Sequence, residues 1–223
     1  MSWVNKDTEL YCSFAKTAGN TGCQMMNTAF HYYGLNKIYK SFSIDNIGDA
    51  VNAVRTLDIK GFAITMPYKV EVLDYVDEVP NEVRNIGAAN TVTNNNGHLT
   101  TYNTDYLAAK QVLIDYIGSE LYILGSGGYS KAVQLAAKSL NIDYQVITRD
   151  DWPGIVNIRH STIYNCTPVE NIKVSDTNKF IDCIVTTETG RKLATIQASH
   201  QFKLYTGLEF PLLWERRYVF LAQ

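Results

Sequence analysis

Two ionisable side chains, Lys69 and Asp105, each follow an apolar run or a turn, where a folded chain can present them at the rim of a cleft. A lysine held near a carboxylate can deliver a proton to a carbonyl oxygen while polarising that oxygen. Lys69 and Asp105 are therefore candidates for such a proton transfer in the reduction of a carbonyl to an alcohol. Taken singly, each residue has a simpler interpretation: Lys69 as a surface cation after a strand, and Asp105 as the N-cap of the helix that follows it.

A glycine-rich turn at residues 125–128 has the composition that binds the phosphates of a dinucleotide. Gly125 permits a sharp bend, and Gly127 lets backbone N–H groups approach a pyrophosphate at the positive end of a helix dipole. An apolar run precedes the turn and helix-compatible residues follow it, as such a site requires. Ser130 replaces the usual third glycine, and similar turns also occur in loops that bind no ligand. A nicotinamide bound here would supply the hydride for carbonyl reduction.

The choice between the two nicotinamide cofactors depends on Arg149, which ends the next predicted strand roughly 20 residues after the turn, where the side chain that reads the ribose is expected. An arginine can pair bidentately with a 2′-phosphate, which favours NADP. Asp150 and Asp151 follow directly and would repel that phosphate, so NAD stays open. A second interpretation makes Arg149 a solvated charge that closes a strand. Thr148 either caps the next segment or lines the same pocket.

Composition excludes several classes of protein. The chain has 223 residues, 46% of them apolar, enough for one large core or two modest ones, and two lobes are expected. Lys and Arg total 20 against 22 Asp and Glu, with no long basic run, which speaks against a nucleic-acid partner. The four cysteines lack CxxC spacing, so we expect reduced thiols and no metal. Neither a signal peptide nor a bilayer-length apolar run is found, which predicts a cytoplasmic protein without a membrane partner.

The order of apolar segments predicts an α/β fold. A helix before Gly61 and a buried strand at 62–66 precede a hairpin around the turn 94–97 and a linking helix at 106–117. Strand, glycine turn and helix then follow at 121–140, with further short strands that suit a parallel sheet with crossover helices. We expect an open α/β substrate domain at 1–105, with C-terminal helices at 190–223 packing back on it. A shortened Rossmann-like nucleotide-binding domain is expected at 106–189.

Taken in order, these segments resemble the signatures of the shikimate dehydrogenase family. Its motifs P-x-K, G-A-x-N-T, N-T-D, N-x-T-P and Q-A-x-x-x-F have counterparts that end or begin at Lys69, Thr91, Asp105, Asn165 and Gln197. The resemblance implies an oxidoreductase in which Lys69 and Asp105 form the catalytic pair. It implies substrate binding by Thr21, Cys23, Thr65, Asn90 and Gln197. It implies cofactor binding by Gly125, Ser126, Gly127, Gly128, Tyr129, Thr148, Arg149, Asn165 and Thr167.

Departures from the family pattern fall at positions that affect specificity. The family binds the substrate carboxylate with an S-x-S motif near the N-terminus, where this chain has Thr21 and the poor donor Cys23. Ala63 replaces an expected asparagine, and only 31 residues separate Asn165 from Gln197, which shortens the cofactor domain. These changes resemble the shikimate-dehydrogenase-like paralogues. The resemblance then implies NADP-dependent reduction of 3-dehydroshikimate or a related cyclic hydroxy acid, by a monomer or homodimer.

Two alternatives to that activity stay open. The first is an enzyme with the same chemistry on quinate, on an aminated analogue or on a smaller hydroxy acid, with NAD as its cofactor. The second is a non-catalytic ligand-binding protein that has kept the pocket but lost efficient hydride transfer.

Overall fold

The computed structural model describes residues 4–211, so the last part of the predicted C-terminal helices, 212–223, lies outside the described residues. The chain forms two compact units. The first unit comprises residues 4–80, 89–102 and 198–211, and the second unit comprises residues 81–88 and 103–197. The division into a substrate-binding domain at 1–105 and a nucleotide-binding domain at 106–189 stays a prediction.

The first unit is built on a five-stranded mixed sheet. Its strands are β1 (Glu9–Ala15), β2 (Lys37–Ser43), β3 (Gly61–Ile64), β4 (Thr91–Asn95) and β5 (His98–Tyr102), in the order β2-β1-β3-β4-β5. The first three are parallel, and helices α1 (Thr21–Tyr32) and α2 (Ile47–Thr56) connect them. The last two form the predicted hairpin, which is confirmed. Asn96 and Gly97 turn it with positive φ angles of 51° and 91°, as their residue types favour.

Aromatic side chains fill the core of the first unit. The ring of Tyr11 lies 5.5 Å from that of Phe30 and 4.9 Å from that of Tyr205, between ring centroids. Gly61 makes room for this cluster, because a Cβ there would lie 2.6 Å from the Tyr205 ring. Helix α6 (Glu188–Thr206) supplies Tyr205 to this core; it belongs to the second unit up to residue 197 and to the first from residue 198.

Helix α1 covers the open edge of β2. The Asn27 side chain donates to the Tyr39 carbonyl and accepts from the Tyr39 N–H, both at 2.8 Å. One turn earlier, the Cys23 sulfur accepts from the Ser41 N–H at 3.1 Å. An edge strand otherwise offers its unpaired backbone groups to another strand. These two side chains therefore protect the edge and dock the helix at the same time.

The second unit contains a four-stranded sheet that is parallel throughout, as predicted. Its strands are β6 (Leu121–Leu124), β7 (Tyr144–Ile147), β8 (Thr162–Asn165) and β9 (Lys179–Asp182), in the order β7-β6-β8-β9. Helices α3 (Asn81–Ile86), α4 (Thr104–Leu113) and α5 (Gly128–Ser139) pack on it through a buried cluster that includes Leu121, Ala132 and Tyr164. The carboxyl ends of β6 and β8 therefore lead into the predicted glycine turn and the predicted N-x-T-P segment.

The crossover connections of this sheet are only partly α-helical. Only the connection from β6 to β7 is an α-helix, α5. The connection from β7 to β8 is a 3-10 helix (Arg149–Asn157) interrupted by Pro153, which removes a backbone donor and cannot continue a regular α-helix. Residues 166–178, between β8 and β9, contain no helix. One face of the sheet is therefore covered by short segments such as the one carrying Ile155. No helix in the described part of the chain is long and apolar enough to cross a bilayer.

Candidate active site

Backbone hydrogen bonds in the first unit bring Lys69, Asn90 and Thr65 together. The Ala89 N–H donates to the Lys69 carbonyl at 2.8 Å, one residue before Asn90. The Ile64 N–H donates to the Asn90 carbonyl at 2.8 Å, one residue before Thr65. Three residues that are far apart in the sequence therefore share one end of β3, because the P-x-K turn folds back on the segment that enters β4.

Tyr68, the central residue of the P-x-K turn, anchors this arrangement. Its side chain is buried, and its hydroxyl donates to the Ile44 carbonyl at 2.7 Å. Its backbone N–H donates to the Thr65 carbonyl at 3.0 Å, which closes the turn. The backbone of Lys69 is thus held on both sides, by its neighbour Tyr68 and by Ala89, so a substitution at Tyr68 should move the lysine.

Asn90 lies in a buried polar cluster that includes a residue the sequence motifs do not single out. Asn90, Thr91 and Gln201 are at most 4% exposed. The Thr91 hydroxyl donates to Asn90 Oδ1 at 3.0 Å, and Gln201 Nε2 donates to Thr91 Oγ1 at 2.9 Å. Gln201 occupies a variable position of the Q-A-x-x-x-F motif, four residues after Gln197. That one-turn spacing is the signal that could have indicated it. Gln197 itself is partly buried on α6.

Thr21 and Cys23, the predicted carboxylate ligands, lie in the first turn of α1. Thr21 is exposed, and the side chain of the preceding Asn20 makes no capping hydrogen bond to the helix. The Cys23 sulfur contacts both the backbone N–H and the hydroxyl of Ser41 at 3.1 Å, and Ser13 extends this contact with a 2.9 Å bond to Ser41 Oγ. Cys23 therefore has a docking role that its residue type alone did not indicate.

The interpretation of Asp105 as a helix N-cap is wrong. Asn103 caps α4: its Oδ1 accepts from the Tyr106 N–H at 2.9 Å, and its Nδ2 donates to the Ala88 carbonyl at 2.8 Å. Asp105 instead lies inside the first turn with 7% of its surface exposed, where a carboxylate interacts favourably with the helix dipole. Its burial is not explained by capping.

Asp105 also acts electrostatically on its neighbours in the second unit. Burial raises the pKa of Tyr129 and of Tyr164 well above the ordinary tyrosine value, and the negative charge of Asp105 adds to both shifts. The two tyrosine hydroxyls share a hydrogen bond of 2.9 Å. Tyr129 therefore directs its ring into the core of the second unit. Lys69 lies in the first unit and Asp105 in the second, and their pairing stays a prediction.

The glycine turn has the conformation that a dinucleotide site needs. Gly125 has a φ of 98°, and a Cβ there would lie 2.7 Å from the Thr167 side chain, so glycine is required twice over. Ser130, in the place of the third glycine, donates to the Gly125 carbonyl at 2.6 Å and accepts from Gln134 at 3.0 Å. It holds the turn closed where a glycine would only allow close packing.

The start of α5 fits a pyrophosphate. The N-cap residue of this helix is Gly127, which has no side chain to cap it, and a Cβ added at Gly127 would meet no atom within 4 Å. The first N–H groups of α5 therefore face a region where a phosphate can approach without displacing a capping side chain. Ser126 and Gly128 flank this position. The donor set, backbone amides at a helix N-terminus, suits an anion.

The segment after β7 places one of the acidic residues beside Arg149 in a helix cap. Thr148 caps the 3-10 helix, as one of its two predicted roles required. Its N–H and its hydroxyl both donate to Asp151 Oδ2, at 3.3 and 2.8 Å. Asp151 is thereby held as part of the cap. Arg149, the first residue of that helix, is exposed to solvent.

Asn165 and Thr167 organise the turn after β8. Asn165 is fully buried and donates to Asp182 Oδ1 at 3.0 Å and to the Val169 carbonyl at 3.2 Å. Its Oδ1 accepts from the N–H and the hydroxyl of Thr167 at 2.9 and 2.7 Å. Thr167 in turn borders Gly125. The N-x-T-P segment therefore shapes the rim beside the glycine turn, and direct contact of Asn165 with a cofactor stays a prediction.

Comparison with known proteins finds similarity to shikimate dehydrogenases in both sequence and structure. Residues 21–92 match the model of the shikimate dehydrogenase substrate binding domain. A shikimate dehydrogenase-like protein of Haemophilus influenzae is 37% identical over 139 residues, covering 61% of this chain and 51% of that protein. A shikimate dehydrogenase (NADP(+)) of Alkaliphilus metalliredigens is 40% identical over 153 residues, covering 64% and 53%. The chain thus spans about half the length of the curated relatives it matches.

A solved structure extends the likeness over almost the whole fold. A shikimate 5-dehydrogenase-like protein superposes with a TM-score of 0.81 at 26% identity, covering 95% of this chain and 96% of that one. The family model matches part of the first unit only, whereas the structural match extends over 95% of the chain. Residues 21–92 thus resemble the shikimate dehydrogenase substrate binding domain, and the chain is similar in fold to a shikimate 5-dehydrogenase-like protein.

Proposed function

We propose that this protein is an oxidoreductase that interconverts the ring ketone and the alcohol of a dehydroshikimate-like cyclic hydroxy acid, with NADP as the cofactor. The observation that supports this most directly is the backbone bond between Ala89 and Lys69. It holds the backbone of the P-x-K lysine near that of the asparagine of the G-A-x-N-T motif, so one segment of the fold carries both a proton donor and an amide. Such a pair can protonate a carbonyl oxygen and orient a neighbouring hydroxyl.

The proton chemistry falls to Lys69 and Asp105. In the direction of reduction, the Lys69 ammonium donates a proton to the carbonyl oxygen as that oxygen gains negative charge. Asp105 stabilises the ammonium before transfer and keeps the lysine ready to be protonated again. In the direction of oxidation, the neutral lysine accepts the hydroxyl proton. Asn90, Thr65 and Gln197 bind the ring hydroxyls.

The cofactor would be held by the second unit. Backbone N–H groups of residues 125–128 would bind its pyrophosphate, and when bound it would supply the hydride. Arg149 would pair with a 2′-phosphate, which distinguishes NADP from NAD. Asp151 is held by the Thr148 cap, so its charge is partly neutralised by two hydrogen bonds and opposes the phosphate less than the sequence alone suggested. The name of the Alkaliphilus relative also specifies NADP(+).

One observation favours a second candidate substrate. Cys23 stands where the family places a carboxylate-binding serine, and its sulfur is already bonded to Ser41. A thiol in this state is a weak donor to an anion. Quinate, an aminated analogue or a smaller hydroxy acid would then compete with shikimate, because the site relies less on the carboxylate and more on the hydroxyls bound near Asn90.

The test is a spectrophotometric screen of the protein with shikimate, quinate and smaller hydroxy acids, each with NADP and with NAD. We expect nicotinamide reduction with a cyclic acid and a preference for NADP. Lys69→Ala should lower kcat by about 100-fold or more, as expected for loss of a general acid. Lys138→Ala, which removes an exposed lysine at the end of α5, is the matched control and should leave turnover unchanged.

Two outcomes would contradict the proposal. Absence of turnover with every acid and both nicotinamides would refute the proposed enzymatic activity. Calorimetric binding of shikimate without binding of NADPH would identify the protein as a non-catalytic ligand-binding relative. Turnover that persists in Lys69→Ala would leave the proposed activity in place and would contradict only the role of Lys69 as proton donor.

A further inference from the structure

A chain of three buried side chains connects helix α6 to the asparagine of the candidate site. Gln201 Nε2 donates to Thr91 Oγ1 at 2.9 Å and lies 3.4 Å from the Asn90 carbonyl oxygen. The Thr91 hydroxyl donates to Asn90 Oδ1 at 3.0 Å. All three residues lie in the first unit. Nothing in the family motifs requires a glutamine at position 201.

The direction of these hydrogen bonds carries information. A threonine hydroxyl has one proton and two lone pairs, so it can donate once and accept at the same time. Gln201 presents an N–H, which only donates, and it therefore occupies a lone pair of Thr91. The Thr91 proton is then directed to an acceptor, which is Asn90 Oδ1. This fixes the Asn90 amide with its oxygen toward Thr91 and its NH₂ group on the other side.

We propose that Gln201 is a positioning residue that sets the polarity of the Asn90 side chain through Thr91, so that Asn90 offers N–H donors to a hydroxyl oxygen of the substrate. The part that concerns the substrate rests on the function proposed above. Burial makes the device effective, because at most 4% exposure leaves little water to exchange for any of the three partners. If the Asn90 amide were reversed, its oxygen would face the substrate and would favour a ligand that donates a hydrogen bond at this position.

The substitution that tests this most sharply is Gln201→Glu. It keeps the size of the side chain and replaces the N–H donor by a carboxylate, which can only accept when ionised. Thr91 would then donate to residue 201 and would accept from Asn90, which reverses the amide. The KM for the cyclic acid should rise about 10-fold or more while kcat changes less than about 3-fold, as for loss of a contact made equally in the ground and transition states.

Three further variants separate positioning from loss of structure. Gln201→Met removes the donor without adding a buried charge, and it serves if Gln201→Glu fails to fold. Thr91→Val breaks the chain in the middle, whereas Thr91→Ser keeps the hydroxyl and should restore a near-normal KM. In the Thr91→Val background, Gln201→Met should add less than about 2-fold to KM, because the path it acts through is already gone. Gln111→Glu, at an exposed site on α4, is the matched charge control.

A readout without substrate keeps this proposal distinct from the proposed function. The side-chain NH₂ resonances of Asn90, assigned by NMR with Asn90→Asp, should shift in Gln201→Glu and Thr91→Val and stay in place in Thr91→Ser and Gln111→Glu. If the wild type turns over no acid, the function fails and these resonances alone decide the positioning role. Unchanged resonances in Gln201→Glu, or equal and additive effects of Gln201→Met and Thr91→Val on KM, would overturn it.

Discussion

Replacing Asn27 by alanine tests whether helix α1 is held to the sheet by side-chain contacts with the β2 edge. Asn27 makes two hydrogen bonds to the backbone of Tyr39, both 2.8 Å long. It lies one turn after Cys23, and α1 begins at Thr21, so the same docking positions the predicted carboxylate site. Asn27→Ala removes both bonds and leaves the aromatic core untouched.

The expected cost follows from the number and the burial of these bonds. Each contributes a net ~1 kcal/mol, and water can reach the site because the bonds are only partly buried, which argues against a larger penalty for unpaired groups. The loss is therefore about 2 kcal/mol. Alanine is a better helix former than asparagine by roughly 0.5 kcal/mol, which reduces the net loss to about 1.5 kcal/mol.

Asn52→Ala is the matched control, because Asn52 is exposed within helix α2. It should show the helix-propensity gain alone, so the two variants should differ by about 2 kcal/mol in the free energy of unfolding. Because a chain with two units need not unfold in one step, the direct assay is native-state hydrogen exchange at the Tyr39 amide. Its exchange should accelerate about 10-fold in Asn27→Ala, because a net loss of about 1.5 kcal/mol corresponds to that factor. Unchanged Tyr39 exchange would refute the assigned role of Asn27 at the sheet edge.

Three further predictions concern other parts of the fold. Gly190→Ala should lower the free energy of unfolding by at least about 2 kcal/mol in denaturant titrations, because its Cβ would lie 1.9 Å from the Ile184 carbonyl oxygen; wild-type stability would contradict that close approach. The Leu99 N–H lowers the pKa of Asp77, so Asp77 stabilises the fold above the ordinary aspartate pKa of about 4 and loses this effect as the pH falls through its own lower value. Asp77→Asn should therefore lower the melting temperature at neutral pH, and the difference in melting temperature from the wild type should shrink in acid. A difference that does not change with pH would contradict this role of Asp77. Arg149→Ala should raise the KM for NADP about 10-fold or more and that for NAD little, and equal effects on both cofactors would remove its assigned role.

Much of the fold was predictable because its signals are local. The hairpin around Asn96 and Gly97 follows from residues that tolerate positive φ angles, and the strand before the glycine turn follows from a short apolar run between polar segments. The parallel arrangement of the second sheet follows from strands separated by long connections. The sequence-based prediction failed where several residues compete for one role, because Asn103 rather than Asp105 caps α4.

Motif residues such as Lys69 and Asn90 could be identified one by one, because their residue types and spacing are visible in the sequence. Their mutual position was not, because it depends on a backbone bond between Ala89 and Lys69 that joins segments 20 residues apart. The docking role of Cys23 and the buried bond from Gln201 to Thr91 likewise arise from contacts across long stretches of chain. The sequence alone determines which chemical groups are present and which turns and strands form locally. The pairing of buried polar groups depends on tertiary packing, because packing excludes water and leaves each donor only one acceptor within reach.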